Sequence, residues 1–129
     1  MSKVVLVVDD SVTIRQELAL VLAPEGFQVV EAADGIDALA RVRAGGVSLV
    51  LCDVNMPRMN GFEFLRELRM DAELHATVVF VLTTSDSKSE RAKAYQENIA
   101  GYMVKSGVGH QVSGLARFLT EYRATVLLP

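Results

Sequence analysis

Residues 47–53 read VSLVLCD, an apolar run that ends in the carboxylate of Asp53. Asn55 and Pro57 follow closely, and both residue types favour a turn in the chain. Proteins of the α/β class place their chemistry at the carboxyl ends of buried strands, where the connecting loops begin. The stretch therefore predicts a central strand with Asp53 at its functional end.

Other apolar runs in the chain also stop at polar residues. In chain order, these are Asp9 and Asp10 after residues 4–8, Thr83 after residues 78–82, and Lys105 after residues 102–104. The carboxyl ends of parallel strands meet at one edge of a sheet. We therefore expect three acids, a hydroxyl group and a lysine to form one site.

Strand and helix patterns alternate along the whole chain. Apolar runs predict strands at residues 3–8, 27–32, 47–53, 77–82 and 100–104. Helical spacing predicts helices that begin near Ser11, Asp34, Gly61 and Ser87, and a fifth helix that carries residues 112–126. Such units with short connections predict a parallel sheet with helices on both faces. The best match is a single domain over residues 1–129 with the doubly wound, flavodoxin-like α/β fold and strand order 2-1-3-4-5.

Composition excludes several classes of protein. The 129 residues have a net charge of -3, which gives no electrostatic footprint for nucleic acid. No apolar stretch approaches the ~18–20 residues of a membrane span. One cysteine excludes an internal disulfide framework, and the first residues lead straight into a strand pattern without a leader. We therefore expect a cytoplasmic protein that binds neither nucleic acid nor a membrane.

The predicted strand order places Asp9, Asp10 and Asp53 together, because the first and third strands are neighbours. Three close carboxylates repel each other unless a cation lies among them. Mg²⁺ prefers such oxygen ligands, and Mn²⁺ would suit the same atoms. A carboxylate beside Mg²⁺ can attack a phosphoryl group to form an aspartyl-phosphate, with Thr83 and Lys105 contacting its oxygens.

Each of these residues also has an ordinary explanation when it is taken alone. Asp10 could be a plain helix N-cap, Thr83 a turn residue, and Lys105 a surface lysine. Their joint placement at the ends of successive strands favours a functional site over coincidence.

The joint pattern resembles the receiver domain of two-component response regulators over nearly the whole chain. The matching stretches are VVDDS at 7–11, DVNMP at 53–57 with Asn60-Gly61 beyond, VLTT at 81–84, and GYMVK at 101–105. This resemblance implies a stand-alone response regulator that accepts a phosphoryl group from a histidine kinase or phosphotransfer protein. It would signal to a downstream protein through its fourth helix, fifth strand and fifth helix, with no enzymatic activity beyond its own phosphorylation and dephosphorylation.

The resemblance also implies a role for each site residue. Asp53 would be the phospho-acceptor, and Asp10 and Asp53 would bind Mg²⁺ directly. Asp9 would bind it through water, and the backbone carbonyl of Asn55 would complete the protein ligands. Thr83 and Lys105 would contact the phosphoryl oxygens. Tyr102 would be the switch aromatic, whose ring moves inward when Thr83 turns toward the phosphate.

Ser106 departs from the family pattern, in which proline usually follows the lysine after a cis peptide bond. A cis bond before serine would cost ~2.5–4 kcal/mol. We therefore predict a trans bond between Lys105 and Ser106. The Lys-Ser sequence resembles a subset of stand-alone receivers, including some linked to bacterial phytochrome kinases.

The last residues of the chain, 118–129, stay apolar to the end, which is unusual for a solvated terminus. Two interpretations remain open. The segment packs on the domain, or it forms an exposed patch for a homodimer or a partner.

Two other function classes share parts of this pattern. A Mg²⁺-dependent phosphohydrolase of the haloacid dehalogenase type also forms an aspartyl-phosphate, but its nucleophile lies on the first strand with a second acid two residues later. Here Asp9 and Asp10 are adjacent, and the residue two beyond Asp53 is Asn55. A nucleotide-binding protein would carry a glycine-rich loop after the first strand, and the chain has none there. The receiver interpretation is therefore favoured.

Overall fold

The sheet positions the three acids and Thr83 of the predicted site. The structure is a computed structural model that describes residues 3–83 and 87–104. Its five strands are β1 (Lys3–Val8), β2 (Phe27–Ala32), β3 (Leu49–Cys52), β4 (Val79–Thr83) and β5 (Gly101–Val104). All pairings are parallel, and the strand order is β2-β1-β3-β4-β5. The predicted doubly wound fold and strand order are confirmed.

The helices connect successive strands. They are α1 (Val12–Leu22), α2 (Gly35–Arg43), α3 (Gly61–Met70) and α4 (Lys88–Tyr95), with a 3₁₀ turn at Ala23–Glu25 after α1. Pro24 lies in this turn, where it cannot continue the helix. The predicted fifth helix, the Lys105–Ser106 bond and the apolar C-terminal segment lie outside the described residues. Within the described ranges, no helix is long and apolar enough to cross a membrane.

Alternate residues of the inner strands supply two hydrophobic layers, one on each face of the sheet. Val5 and Val7 of β1 pack with Leu18 and Leu22 of α1. The residues between them in β1 point to the opposite face, where they pack against α2, α3 and α4. Because both faces are covered, the inner strands are apolar at almost every position. This packing fixes the strands whose ends carry the acids.

Capping side chains define where the four described helices begin, with Ser87 as the cap of α4. The Ser11 hydroxyl accepts a hydrogen bond from Ile14 N, and the Asp34 carboxylate accepts one from Asp37 N. Asn60 and Glu63 form a reciprocal capping box at the start of α3. Each of these helices therefore starts at a fixed residue, directly after the loop that follows a strand.

Arg69 fastens the far end of α3 to the neighbouring loops. Its guanidinium donates hydrogen bonds to the carbonyl oxygens of Glu97, Thr77, His75 and Asn98, at 2.6, 2.8, 3.0 and 3.1 Å. Partial burial lowers the pKa of the Arg69 guanidinium below its ordinary value, and the charge of Glu97 acts in the opposite direction. One side chain therefore ties the loops before β4 and before β5 to α3.

Candidate functional site

Asp9 and Asp53 stand directly after β1 and β3 on rigid backbone. The Asp9 amide donates to the Ala32 carbonyl at 3.1 Å, and the Asp53 amide donates to the Val8 carbonyl at 2.9 Å. These bonds continue the ladders of the sheet past the last strand residues. The sheet therefore fixes the backbone positions from which both carboxylates project.

The structure brings Asp9, Asp10 and Asp53 together, as the strand order requires. Each offers a carboxylate oxygen, and these three atoms all lie within 4.8 Å of one another. Asp9 is 3% exposed and Asp53 is 8% exposed, whereas Asp10 is exposed. Close, partly buried carboxylates repel each other, and a divalent cation held by hard oxygen ligands would offset this repulsion. The donor set therefore fits a metal such as Mg²⁺ or Mn²⁺.

Backbone amides orient two of the three carboxylates. Val54 N donates to Asp53 Oδ1 at 2.7 Å, and Ser11 N donates to Asp9 Oδ1 at 2.9 Å. Ser11 caps α1, so the ordinary explanation of Asp10 as the cap is wrong. Asp10 instead presents its carboxylate at the exposed side of the cluster.

Arg15 supports the acidic cluster from α1, and sequence reasoning missed it. Its NH1 donates to the Asp9 carbonyl at 2.6 Å, and its Nε pairs with Glu31 Oε1 at 3.0 Å. The arginine therefore links the end of β1 to β2. The only signal in the sequence is a basic residue in the first turn of α1, which is too common to single out.

The loop from Asn55 to Asn60 lies between Asp53 and α3. Gly61 N donates to the Val54 carbonyl at 2.9 Å and closes the base of the loop. A Cβ atom on Gly61 would lie 2.3 Å from the Asp53 carbonyl oxygen, so only glycine fits this approach. Asn55 is exposed, two residues beyond the acid, at the start of this loop.

Thr83 and Tyr102 lie on the neighbouring strands β4 and β5, and β4 is the strand that pairs with β3. Thr83 is fully buried as the last residue of β4, and it pairs in register with Val104 of β5. Tyr102 is half-buried against the α2–α3 face, and the guanidinium of Arg91 lies 5.3 Å from the centre of its ring. Lys105, the other predicted contact, lies outside the described residues.

Comparisons with known proteins identify the family. The sequence profile described as "Response regulator receiver domain" matches residues 5–112. Protein PilH of Pseudomonas aeruginosa is 36% identical over 101 residues, which cover 78% of this chain and 84% of PilH.

Solved structures extend the likeness to the whole fold. The phosphorylated cyanobacterial phytochrome response regulator RcpA superposes with a TM-score of 0.91 at 27% identity, over 100% of this chain and 99% of that one. The Mn²⁺-bound form of the response regulator Rcp1 gives a TM-score of 0.86 at 29% identity, over 98% and 99% of the two chains. The predicted likeness to phytochrome-linked receivers is confirmed as a structural likeness. Its fold, its strand-end acids and these relatives together show that the chain belongs to the response regulator receiver domain family of two-component signalling proteins.

Proposed function

We propose that Asp53 accepts a phosphoryl group from a phosphohistidine of a sensor histidine kinase or a phosphotransfer protein. The observation that carries this proposal is the position of Asp53. Asp53 is 8% exposed at the end of the central strand β3, and carboxylate oxygens of Asp9 and Asp10 lie within 4.8 Å of one of its own. RcpA, which shares this fold, is described as phosphorylated.

The metal ligands are proposed to be Asp10 and Asp53 directly, Asp9 through water, and the backbone carbonyl of Asn55. The all-oxygen character of this set supports Mg²⁺, with Mn²⁺ as a substitute, and Rcp1 is described as Mn²⁺-bound. When bound, the ion supplies positive charge that offsets the carboxylates and the phosphoryl oxygens. The exposed Asp10 marks the side from which the ion and the phosphodonor approach.

The transfer itself requires little from the protein except position. A carboxylate oxygen of Asp53 forms a bond to phosphorus while the bond from phosphorus to the donor's imidazole nitrogen breaks. The electron pair of the broken bond goes to that nitrogen, which takes up a proton. Val54 N holds Oδ1 and so fixes the plane of the attacking group. Lys105 is proposed to pair with the phosphoryl oxygens through its ammonium group.

The output is proposed to begin at Thr83. A phosphoryl group on Asp53 adds roughly 1.5–2 negative charges and strong hydrogen-bond acceptors. The Thr83 hydroxyl, on the neighbouring strand, would turn to donate to it and vacate the space beside Tyr102. The Tyr102 ring would then move inward from its place under Arg91 and change the surface formed by α4, β5 and the fifth helix. Both conformations must lie within a few kcal/mol of each other for this to act as a switch.

The downstream partner is proposed to be a protein that binds this surface. The phosphorylated domain itself is proposed to bind neither nucleic acid nor a membrane. Its only catalysis would be its own phosphorylation and dephosphorylation. Because histidine kinases draw on ATP, we propose the cytoplasm as its location. A homodimer through the apolar C-terminal segment stays a prediction.

Phosphorylation with a small phosphodonor tests the proposal. The protein would be incubated with acetyl phosphate and Mg²⁺, and intact mass would be followed over time. We expect one phosphoryl group per chain, none with a chelator, and none on Asp53→Asn. Asp37→Asn, which changes a carboxylate on α2, should be phosphorylated like the natural protein. Unmodified protein that turns over phosphomonoesters many times would instead indicate a phosphohydrolase.

A further inference from the structure

The tip of the loop after Asp53 is fastened to the first turn of α2. Gly35 N donates a hydrogen bond to the Met59 carbonyl at 2.9 Å. A Cβ atom on Gly35 would lie 2.6 Å from Cγ of Met59, so the two segments approach as closely as glycine allows. The loop is therefore held at its base by Gly61 and at its tip by α2.

Arg58, beside this contact, has a backbone conformation that a side chain disfavours. Its φ angle is 64°, in the left-handed region that favours glycine. Its guanidinium makes a two-point contact with Asp34, with Nε 2.9 Å from Oδ2 and NH2 donating to Oδ1 at 3.3 Å. Paired contacts of this kind fix direction as well as distance. The ion pair therefore holds the strained residue in place.

Asp34 is a firm anchor for this contact. Its side chain is only 10% exposed, and the same carboxylate caps α2 by accepting from Asp37 N at 2.9 Å. Arg58 is 59% exposed, so the pair lies at the surface and can be altered without opening the core. A restrained loop end and a buried anchor distinguish this pair from an ordinary surface ion pair.

We propose that the Arg58–Asp34 pair is a positioning device for the divalent ion, because it keeps the loop that carries Asn55 in one conformation. The inference rests on the proposed function, in which the Asn55 carbonyl is the neutral protein ligand. A carbonyl held still suits Mg²⁺, which demands near-ideal octahedral geometry, whereas Ca²⁺ tolerates irregular and flexible ligand sets. The pair therefore sets both the affinity for Mg²⁺ and the preference for Mg²⁺ over Ca²⁺.

The charge of Arg58 and its proposed positioning role predict opposite changes in Mg²⁺ affinity for the same variant. Arg58→Ala removes a positive charge from the loop after Asp53, so Coulomb attraction alone would make the protein bind Mg²⁺ more tightly. Loss of positioning would make it bind Mg²⁺ more weakly. Arg66→Ala is the matched control, because it removes the same charge from an exposed position on α3.

Calorimetric titration of the metal-free protein with Mg²⁺ and with Ca²⁺ tests the inference. We expect Arg58→Ala to weaken Mg²⁺ binding by about three- to tenfold, somewhat less than outer partners of metal ligands usually do. Ca²⁺ binding should change less, so the dissociation constant for Ca²⁺ divided by that for Mg²⁺ should fall toward one. Arg66→Ala should not weaken Mg²⁺ binding. Asp34→Asn keeps the cap on α2, and combining it with Arg58→Ala should add little to the effect of Arg58→Ala.

A second measurement needs no metal. Amide hydrogen exchange should become faster at Gly35 in Arg58→Ala and stay unchanged in Arg66→Ala, because only the former releases the loop tip. Unchanged exchange, or Mg²⁺ binding as tight as in the natural protein, would overturn the inference while leaving the phosphorylation of Asp53 intact. Failure of the natural protein to bind Mg²⁺ would instead contradict the proposed metal site.

Discussion

Gly61→Ala should damage the site more than it damages the fold. Gly61 begins α3, and a methyl carbon there would lie 2.3 Å from the Asp53 carbonyl oxygen and 2.9 Å from Val54 Cα. Such carbons essentially never approach other atoms closer than 3.0 Å. The obstructing atoms are backbone, and the Asp53 amide is bonded to the Val8 carbonyl. The chain between Asp53 and α3 must therefore shift, and the carboxylate shifts with it.

The magnitude follows from two opposing terms. Forcing a methyl group into a filled space costs typically ~1–3 kcal/mol. In a helix interior alanine is the better helix former by about 1 kcal/mol. Because Gly61 is the first helical residue, only part of that gain offsets the cost. We therefore expect a loss of roughly 1–2 kcal/mol in the free energy of unfolding. A displacement on the order of 1 Å at the reacting group can slow phosphorylation of Asp53 by about 100-fold.

Gly45→Ala is the control with a matched loss of stability. Gly45 has a φ of 90° with no atom within 4 Å of an added Cβ, so alanine there carries backbone strain of ~1–2 kcal/mol and no collision. Urea unfolding should show similar losses in the two variants, while acetyl phosphate should label only Gly45→Ala at the natural rate. Equal phosphorylation rates in both variants would refute the reasoning.

Three further predictions concern residues around the site. Arg69→Lys keeps the charge but loses the planar guanidinium that donates to four carbonyl oxygens. Urea unfolding should show a loss of about 2 kcal/mol in the free energy of unfolding, because water replaces the contacts that are exposed. An unchanged unfolding midpoint would contradict this. Arg91→Gln removes the cation from the Tyr102 ring, so the ring's NMR signals should shift toward their positions in the phosphorylated protein, whereas shifts confined to residue 91 would argue against it. Thr83→Ala should still be phosphorylated on Asp53 but should lose the accompanying shift of the Tyr102 ring's NMR signals, whereas Thr83→Ser should retain this shift. A shift that persists without the hydroxyl would exclude Thr83 as the trigger.

The fold was largely predictable because its pattern is carried by buried strands. β1 and β2 have the predicted bounds, whereas β3 is shorter than predicted at both ends. β4 begins two residues later than predicted and ends one residue later, at Thr83, and β5 begins one residue later. The clearest difference is on α2, where helical spacing of the large apolar residues predicts that Ile36 shares a buried face with Leu39 and Val42. The structure leaves Ile36 46% exposed and buries Ala38 instead. The buried residues Gly35, Ala38, Leu39 and Val42 do follow helical spacing, but glycine and alanine are weakly apolar, so hydropathy favours Ile36 in their place.

The site was predictable only where residues follow strands directly. The three acids were found because the strand order alone brings them together. The supports of the site were not found, since Arg58 and Asp34 are 24 residues apart and Arg15 acts on a backbone carbonyl. Neither contact leaves a period or a motif in the sequence. Long-range side-chain contacts of this kind require the folded backbone.

Mapping the phosphorylated residue tests the central claim most directly. Borohydride reduces an acyl phosphate to an alcohol, so the aspartate that carried the phosphoryl group becomes homoserine in a sequenced peptide. After treatment with acetyl phosphate and Mg²⁺, we expect homoserine at Asp53 and nowhere else. Homoserine at Asp9 or Asp10, where a phosphohydrolase would carry its nucleophile, would exclude Asp53 as the phospho-acceptor.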